Sequence, residues 1–494
     1  VNILKDQEDP KRFDVLGPLI REHYPVVPVN CQRNLLAAFD KRSNYHTNSR
    51  ADRSVINGSL NLLQRLVPQQ FDPIEWGDDL FKKWNSQFDP PKQAKYVKAY
   101  AEVSSCTLKD FSDKQIFIKI EALLKRHDPD WAPRIIYQSS DLHNVILGPV
   151  MQECTKRMFK AMDACQDNEH LRFCGGYAKS TDEIANFIVE DSAPDCKYIE
   201  SDFSSNDKTQ VVDVHLLEVR WLERLGAPKW ITALMLHANC FGVTSHAFKV
   251  KARVANQLPT GSQSTTFRNT LWNASIADTF AESSGVRGRC LVLGDDMLMR
   301  CDNPFSVRKQ QIRRRYEHVT KLAHMVAKVS VYWHLAECSF LSKQFIMTDH
   351  GFVLVPMLGK AFGRFNARAS ANDGVSDRSY LAGKALSYSY EFRHCPPLSR
   401  MFYERYRQLQ PEKGVSLLDL GWVAKGAFLR FGVDGIIAAI HNPGAVCTVD
   451  DMTRFYHWKY SKTADEIIVL ALAFLFGEDD LDAAFVGRIV EDFL

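Results

Sequence analysis

No two cysteines in the chain stand in a C-x-x-C spacing, which excludes a zinc knuckle or a dithiol redox motif. The twelve that occur are scattered, and reduced thiols in a cytosolic setting are the simpler expectation. No apolar run approaches the roughly 20 residues that a membrane-spanning helix needs. The longest, Ile467 to Phe476, has ten and reads as a buried helix. No secretory signal opens the chain, which starts at Val1. The expectation is a processed or excised part of something longer, with membrane attachment left to sequence outside it or to a partner. There is no G-x-x-x-x-G-K-[ST] loop: Gly359-Lys360 and Gly383-Lys384 lack the upstream glycine, so a helicase or other P-loop NTPase is excluded. Internal repeats, low-complexity tracts and linkers are absent too, which argues for one compact α+β body. Nor is there a large charge excess. Sixty-two Lys and Arg against 59 Asp and Glu leave +3, too mild to imply a polyanion partner by itself.

At 494 residues, 45% hydrophobic and 24% charged, the chain can bury a full core without disulfide or metal staples. Its charge is unevenly placed. Arg300 to Arg368 carries twelve Lys and Arg against four Asp and Glu, whereas Asp465 to Leu494 carries eight acids against one Arg. A basic middle suits a polyanion; a solvated helix face formed by Arg308, Lys309, Arg313, Arg314 and Arg315 explains the same run without one.

Period and punctuation predict a mixed, mostly helical region over 1–115, strands over 116–120 and 134–137, and a helix over 150–165. A strand over 196–203 and a helix over 208–225 follow. A loop over Leu258–Ser262 leads into a helix over 264–280. Cys290 to Arg300 reads as strand, turn, strand. A helix is expected over 308–328, and a largely helical pattern beyond 370.

Gly-Asp-Asp occurs twice, and context separates the copies. Gly77-Asp78-Asp79 lies in amphipathic helical spacing, where the acids are helix-start residues. Gly294-Asp295-Asp296 lies between the apolar runs Cys290–Leu293 and Met297–Met299. Acids at the tip of a buried hairpin must be hydrated, paired or bound to metal, so this copy is the functional candidate. A second acidic strand end lies upstream, where Asp202 closes Lys197–Phe203 and Asp207 follows. Carboxylates from two adjacent strands can hold the divalent cations of two-metal phosphoryl transfer; Asp202 as a turn cap is the competing reading. Between these acids, Leu258 to Ser262 runs into a helix on which Thr265, Asn269 and Asn273 share a face, a pattern that an N-capped helix with incidental polar residues also gives.

In order, Asp-x4-Asp (Asp202, Asp207), Thr-Gly-x3-Thr-x3-Asn (Thr260, Gly261, Thr265, Asn269) and Gly-Asp-Asp (Gly294, Asp295, Asp296) resemble palm motifs A, B and C of the RNA-dependent RNA polymerases of positive-strand RNA viruses. Phe117 to Glu121 with Pro133 to Ile136 is similar to the basic fingers motif F. Ala327-Lys328 and Cys338 to Lys343 are similar to motifs D and E. The segment Lys119 to Gly148 most resembles tombusvirus- and nodavirus-like enzymes. The resemblance covers about residues 115–345; the flanks match by position only, and Thr260 stands where the family usually has Ser.

The resemblance implies a right-hand α+β fold with an antiparallel palm sheet. Fingers would take residues 1–195, palm 196–345 with a fingers insertion at about 210–255, and thumb 346–494. It implies template-directed RNA synthesis with release of pyrophosphate, replicating and transcribing a viral RNA genome, with two Mg²⁺ or Mn²⁺ ions held by Asp202, Asp295 and Asp296. It assigns Lys119, Lys125 and Arg134 to the nucleotide channel and Asp207, Thr265 and Asn269 to the ribose, with Thr260 and Gly261 in the same nucleotide-binding motif. Lys328 becomes the proton donor to pyrophosphate, and Cys338, Ser339, Phe340 and Lys343 hold the primer strand. RNA template, nascent RNA and NTPs are the implied partners, with viral or host replication proteins at membrane-associated complexes in the host cytoplasm. The chemistry agrees: Lys119, Lys125, Arg126 and Arg134 gather the cations that a triphosphate transition state needs. Tyr316, Tyr332, Trp333 and Phe340 are either core or stacking surface for a template. A reverse transcriptase would place a bulky aromatic at position 207 to exclude the 2′-hydroxyl, and Asp207 is small. A non-catalytic RNA-binding replication protein would not need Asp202, Asp295 and Asp296 intact.

Overall fold

The structure, a computed structural model, describes residues 13–44, 49–123, 130–167, 169–204, 210–302, 308–369, 374–410 and 422–493. Strands are numbered β1 to β14 along the chain. The central sheet contains β4 (Leu171–Gly175), β5 (Lys197–Phe203), β8 (Gly288–Leu293), β9 (Asp296–Cys301) and β10 (Ala327–Tyr332) in the order β10-β5-β9-β8-β4. Three of its four pairings are antiparallel; β4 runs parallel to β8. The sheet is therefore mixed: its four strands within 196–345 pair antiparallel, and β4, outside that range, adds a parallel edge.

One face of this sheet is apolar because its strands alternate. Along β5, Ile199 and Phe203 point into the main core while Glu200 and Asp202 share the opposite face. Along β9, Met297, Met299 and Cys301 do the same, leaving Asp296 on the face of Asp202. The helix Thr265–Ser284 fills the apolar side. It is buried around most of its circumference and ends at Gly285 in a left-handed conformation (φ 64°), the usual glycine stop. Helices Arg53–Leu66, Asp141–Ala164, Val212–Arg224 and Lys309–Leu322 contribute to the same core.

A second sheet, in the order β3-β2-β6-β7, joins β2 (Lys114–Ile118), β3 (Ile135–Ser139), β6 (Phe241–Ser245) and β7 (Val250–Val254). A third contains β11 (Ser339–Phe340), β12 (Lys343–Thr348) and β13 (Gly351–Pro356). Helices Leu358–Phe365, Asp377–Glu391, Pro396–Leu409, Val449–Tyr460 and Ala464–Phe476 form a lobe with its own core, in which Phe362 stacks on Phe402 and Phe474. The chain start returns to this lobe: β1 (Phe13–Val15) pairs with β14 (Ala367–Ala369), and Asp480 accepts hydrogen bonds from the Leu19 amide and the Tyr24 hydroxyl. β4 thus belongs to the central sheet, and β1 pairs within the C-terminal lobe. Among the described residues, no helix is long and apolar enough to cross a membrane.

Several expected boundaries move. The helix expected over 150–165 starts at Asp141, capped by Ser140; Gly148 and Pro149 lie inside it, and Gly148 gives room to Trp84. The helix expected over 308–328 stops at Leu322, and Lys328 stands on β10, whose β-branched alternation (Val329, Val331) is strand chemistry. The basic run on that helix is a solvated face: Arg313, Arg314 and Arg315 are exposed, and Arg313 pairs with Glu317. Tyr316 and Phe340 are core, whereas Trp333 is exposed between the Lys197 and Lys309 ammonium groups.

Candidate active site

The hairpin β8–β9 closes on a two-residue turn, Gly294-Asp295, with Leu293 paired to Asp296. Gly294 takes φ 63°, a conformation that penalises any side chain although nothing crowds the position. Two side chains of the buried helix hold the turn: the Gly294 amide donates to Thr270 Oγ1 (2.7 Å), and Asn273 Nδ2 donates to the Gly294 carbonyl (3.3 Å). Asp295 is thereby fixed and exposed at the tip.

Asp202 lies on the neighbouring strand. Ser201 pairs with Met297 and Lys328 pairs with Asp202. One further step of the β5–β9 register sets Asp202 across from Asp296, so Lys328, Asp202 and Asp296 form a row over three strands. Neighbouring strands run about 4.8 Å apart. All three residues, with Asp295, line one cleft of about 450 Å³ that also meets Glu200, Ser339, Ser342 and Lys360.

The acids repel one another. Burial, then Asp295 and Asp202, push the Asp296 carboxyl up to about 6, even though Asp296 Oδ2 accepts a hydrogen bond from the Leu341 amide (2.6 Å). Glu200, which accepts from the Ser339 amide, is pushed up to about 7, chiefly by burial. Clustered negative charge on hard oxygen donors is what a divalent cation relieves, so the donor set fits such an ion. The carboxylates are not gathered into a finished coordination shell: among the described residues, no cluster of three metal-ligating side chains is closed on one point.

The expected nucleotide residues approach from the second sheet. The Lys119 amide donates to the Arg134 carbonyl (2.8 Å), just beyond the ends of β2 and β3. Lys119 Nζ and the Arg134 guanidinium both pair with Glu121, and Arg134 is close enough to Asp295 to be stabilised by its charge. Burial raises the Glu121 carboxyl, but the hydrogen bonds and charge of Arg134 outweigh it, so Glu121 stays ionised. Tyr137 of β3 donates its amide to the Thr260 carbonyl (3.2 Å), tying the loop before the long helix to this sheet. Gly261 there has φ 100°, and a Cβ would meet the Tyr137 carbonyl at 3.0 Å. Thr265 Oγ1 donates to the Pro259 carbonyl (3.4 Å), and Asn269, buried, accepts from Gln210 Nε2 (2.9 Å). Below them Arg268 is buried against Glu218 (2.7 Å), a pair that fixes the helix start. Lys125, Arg126 and Asp207 lie outside the described residues.

The primer-strand assignments divide. Ser339 reaches the cleft. Cys338, Phe340 and Lys343 point their side chains inward: Cys338 and Phe340 pack in the apolar cluster beneath, and burial lowers Lys343, which lies near Glu391 and Arg393. Sequence reasoning gave no role to the cleft residues Glu200, Ser330, Ser342 and Lys360. Gly359-Lys360 drew notice only as a failed P-loop, and no local pattern marks its return to the acids.

The other Gly-Asp-Asp is structural. Asp78 opens the helix Asp78–Asn85 and accepts from the Tyr100 hydroxyl (2.7 Å). A larger cavity, about 630 Å³, opens at the far end of β2 and β3, but its acids are engaged: Asp110 in a capping box, Asp113 with the Gly242 amide, Asp141 with Lys95.

Residues 5–419 match the family model described as RNA dependent RNA polymerase. No curated protein matches the chain.

Proposed function

As the chain belongs to the RNA-dependent RNA polymerase family of positive-strand RNA viruses and is a nucleotidyltransferase, we propose that its cleft joins NTPs to the 3′ end of a nascent RNA on an RNA template, and so replicates and transcribes a viral genome. The carrying observation is the convergence of Asp202, Asp295 and Asp296 on one cleft beside Lys328. In this reading the central sheet is the palm, the second sheet belongs to the fingers and the C-terminal lobe is the thumb. The motif spacing supports a tombusvirus- or nodavirus-like member, acting with viral or host proteins at membrane-associated complexes in the host cytoplasm.

Asp202, Asp295 and Asp296 are the residues to hold two Mg²⁺ or Mn²⁺ ions. Bound there, the ions supply a lowered pKa for the attacking hydroxyl and charge neutralisation on the triphosphate. The remaining work falls to the chain's own groups. Arg134 and Lys119 leave Glu121 for the triphosphate oxygens. Lys328 Nζ delivers a proton to the departing pyrophosphate. Thr265, Asn269 and Asp207 border the ribose, beside the loop of Thr260 and Gly261. A carboxylate must be deprotonated to bind a cation. With Asp296 at about 6, Mg²⁺ affinity is expected to fall as pH drops through that value, towards about tenfold per unit below it. Calorimetric Mg²⁺ titration checks this; an affinity that stays flat between about pH 7.5 and 5.5 contradicts it.

Sugar choice separates this reading from a reverse transcriptase. In this reading Asn269 bonds the ribose 2′-hydroxyl, and a site built around a hydroxyl rejects substrates without it. Asn269→Ala is expected to lower the NTP-to-dNTP ratio of kcat/KM about tenfold, the loss of one bond of roughly 1–1.5 kcal/mol. If Asn269 serves only Gln210 and its own helix, both substrates suffer alike. Single-nucleotide incorporation on one primed template decides; a ratio unchanged within about twofold ends the sugar-sensing role.

A further inference from the structure

A buried cation, Lys114, stands apart from the cleft, at the far end of the second sheet. Ile116, Ile118, Ile135 and Tyr137 form the apolar face of β2 and β3. By alternation the same face ends in Lys114, directly opposite Ser139. The two are 2% and 7% exposed, and both line the cavity of about 630 Å³. An ammonium at the end of an apolar face is costly unless it is paired.

Lys114 is poorly paired. Its Nζ lies 3.4 Å from the Phe111 carbonyl and 3.4 Å from His143 Nδ1. His143 Nδ1 is only 2.7 Å from the same carbonyl, so it carries the proton and donates there. It therefore has no lone pair for Lys114, and one long bond is left to an ammonium with three donors. Burial pulls Lys114 down to about 7, with Asp113 opposing, and pushes His143 well below the usual imidazole range. The acids around the cavity are spent elsewhere: Asp113 on the Gly242 amide, Asp110 on a capping box, Asp141 on Lys95. Ser139 Oγ is buried without a hydrogen-bond partner among the described residues.

A buried ammonium with spare donors and an unbonded hydroxyl thus share one cavity wall and lack an acceptor. Exposed Lys109, His246 and Lys251 stand around the same cavity. The helix Asp141–Ala164 opens at its edge, where first-turn amides have no acceptor within the helix. An anion completes this set. A terminal phosphate turns three free oxygens towards converging donors, whereas a backbone diester has two and must lead a chain away on both sides. The volume lies within the roughly 300–1,000 Å³ of small-ligand sites, so it holds more than the phosphate alone. Lys114 is about 16 Å of strand from Lys119, which separates the cavity from the pair assigned to the triphosphate. We propose that Lys114 and Ser139 bind the terminal phosphate of a small phosphate monoester, of the size of a ribonucleoside 5′-monophosphate, in this cavity.

The test is calorimetric titration of 5′-AMP, in EDTA, into wild type, Lys114→Met, Ser139→Ala and Arg134→Ala. Adenosine and the diester ApA are titrated alongside, and inorganic phosphate serves as competitor. One AMP site is expected that Lys114→Met weakens at least about tenfold and Ser139→Ala about threefold to tenfold. Arg134→Ala should leave that site within about twofold of wild type, because it lies at the other end of the strands. Inorganic phosphate should displace AMP from it, and adenosine and ApA should not fill it. Lys114→Met keeps the length of the side chain and removes its charge. Should that variant not fold, Ser139→Ala, which deletes one unbonded hydroxyl, still decides. No AMP binding by wild type, equal binding by wild type and the folded Lys114 and Ser139 variants, or a loss confined to Arg134→Ala overturns the proposal. So does ApA binding as tightly as AMP with the same dependence on Lys114, which would make the cavity a hold on RNA backbone.

Discussion

Asp295→Asn is expected to abolish RNA synthesis, and Asp78→Asn to leave it near the wild-type rate. Both residues lie in Gly-Asp-Asp, so sequence identity predicts equal effects and geometry predicts opposite ones. Asp78 is a first-turn acid that bonds Tyr100. Acids there interact with the helix dipole for about 0.3–1 kcal/mol, a loss too small to unfold a chain with a core of this size. Asp295 stands on a turn held by Thr270 and Asn273, beside Asp296 and above Asp202. Its amide analogue keeps the shape and loses the charge. Charge stabilisation by a bound metal is worth several kcal/mol of the barrier, so the expected loss is about a thousandfold or more. Pyrophosphate release on a primed template gives the rates, and circular dichroism shows whether both variants fold. Comparable loss in two folded variants contradicts the distinction drawn between the copies.

The next largest effect is expected from Arg134→Ala: a raised KM for NTP with a lowered kcat, together about 10²–10³ in kcat/KM. Arg134 presents a planar fork that grips Glu121 through Nε and Nη2. The same fork suits two phosphate oxygens. Lys119, with a single contact to Glu121 at 3.3 Å, is expected to matter less when replaced. Arg313→Ala supplies the control, since its exposed pair with Glu317 on a solvated helix is worth little. Steady-state kinetics on one template suffices. Unchanged kcat and KM in Arg134→Ala would confine that residue to its ion pair with Glu121.

The hairpin with Asp295 and Asp296 was legible because its signals are local: uninterrupted apolar runs stand on both sides of a glycine that the turn demands. The helix Thr265–Ser284 and the acid at the end of β5 were legible for the same reason. What stayed hidden depends on pairing across the chain. The parallel partnership of β4 with β8 joins segments more than a hundred residues apart, and nothing local announces it. Burial of Cys338 and Phe340 is set by which face of the two-residue strand β11 and its lead-in turns inward, which so short a segment does not encode. Lys360 reaches the acids only through the third sheet and the helix after it. Glu121 is the anion that holds Lys119 and Arg134 together, a pairing across two strands that no local pattern marks.

The most direct measurement is incorporation of labelled nucleotides on four homopolymeric RNA templates, with and without a complementary primer, in Mg²⁺ and after chelation. The account predicts that each template directs only its complementary ribonucleotide into product, that deoxynucleotides are used poorly, and that chelation stops synthesis. Product whose composition ignores the template, or no product from a folded protein with primer, NTPs and Mg²⁺ present, would contradict it.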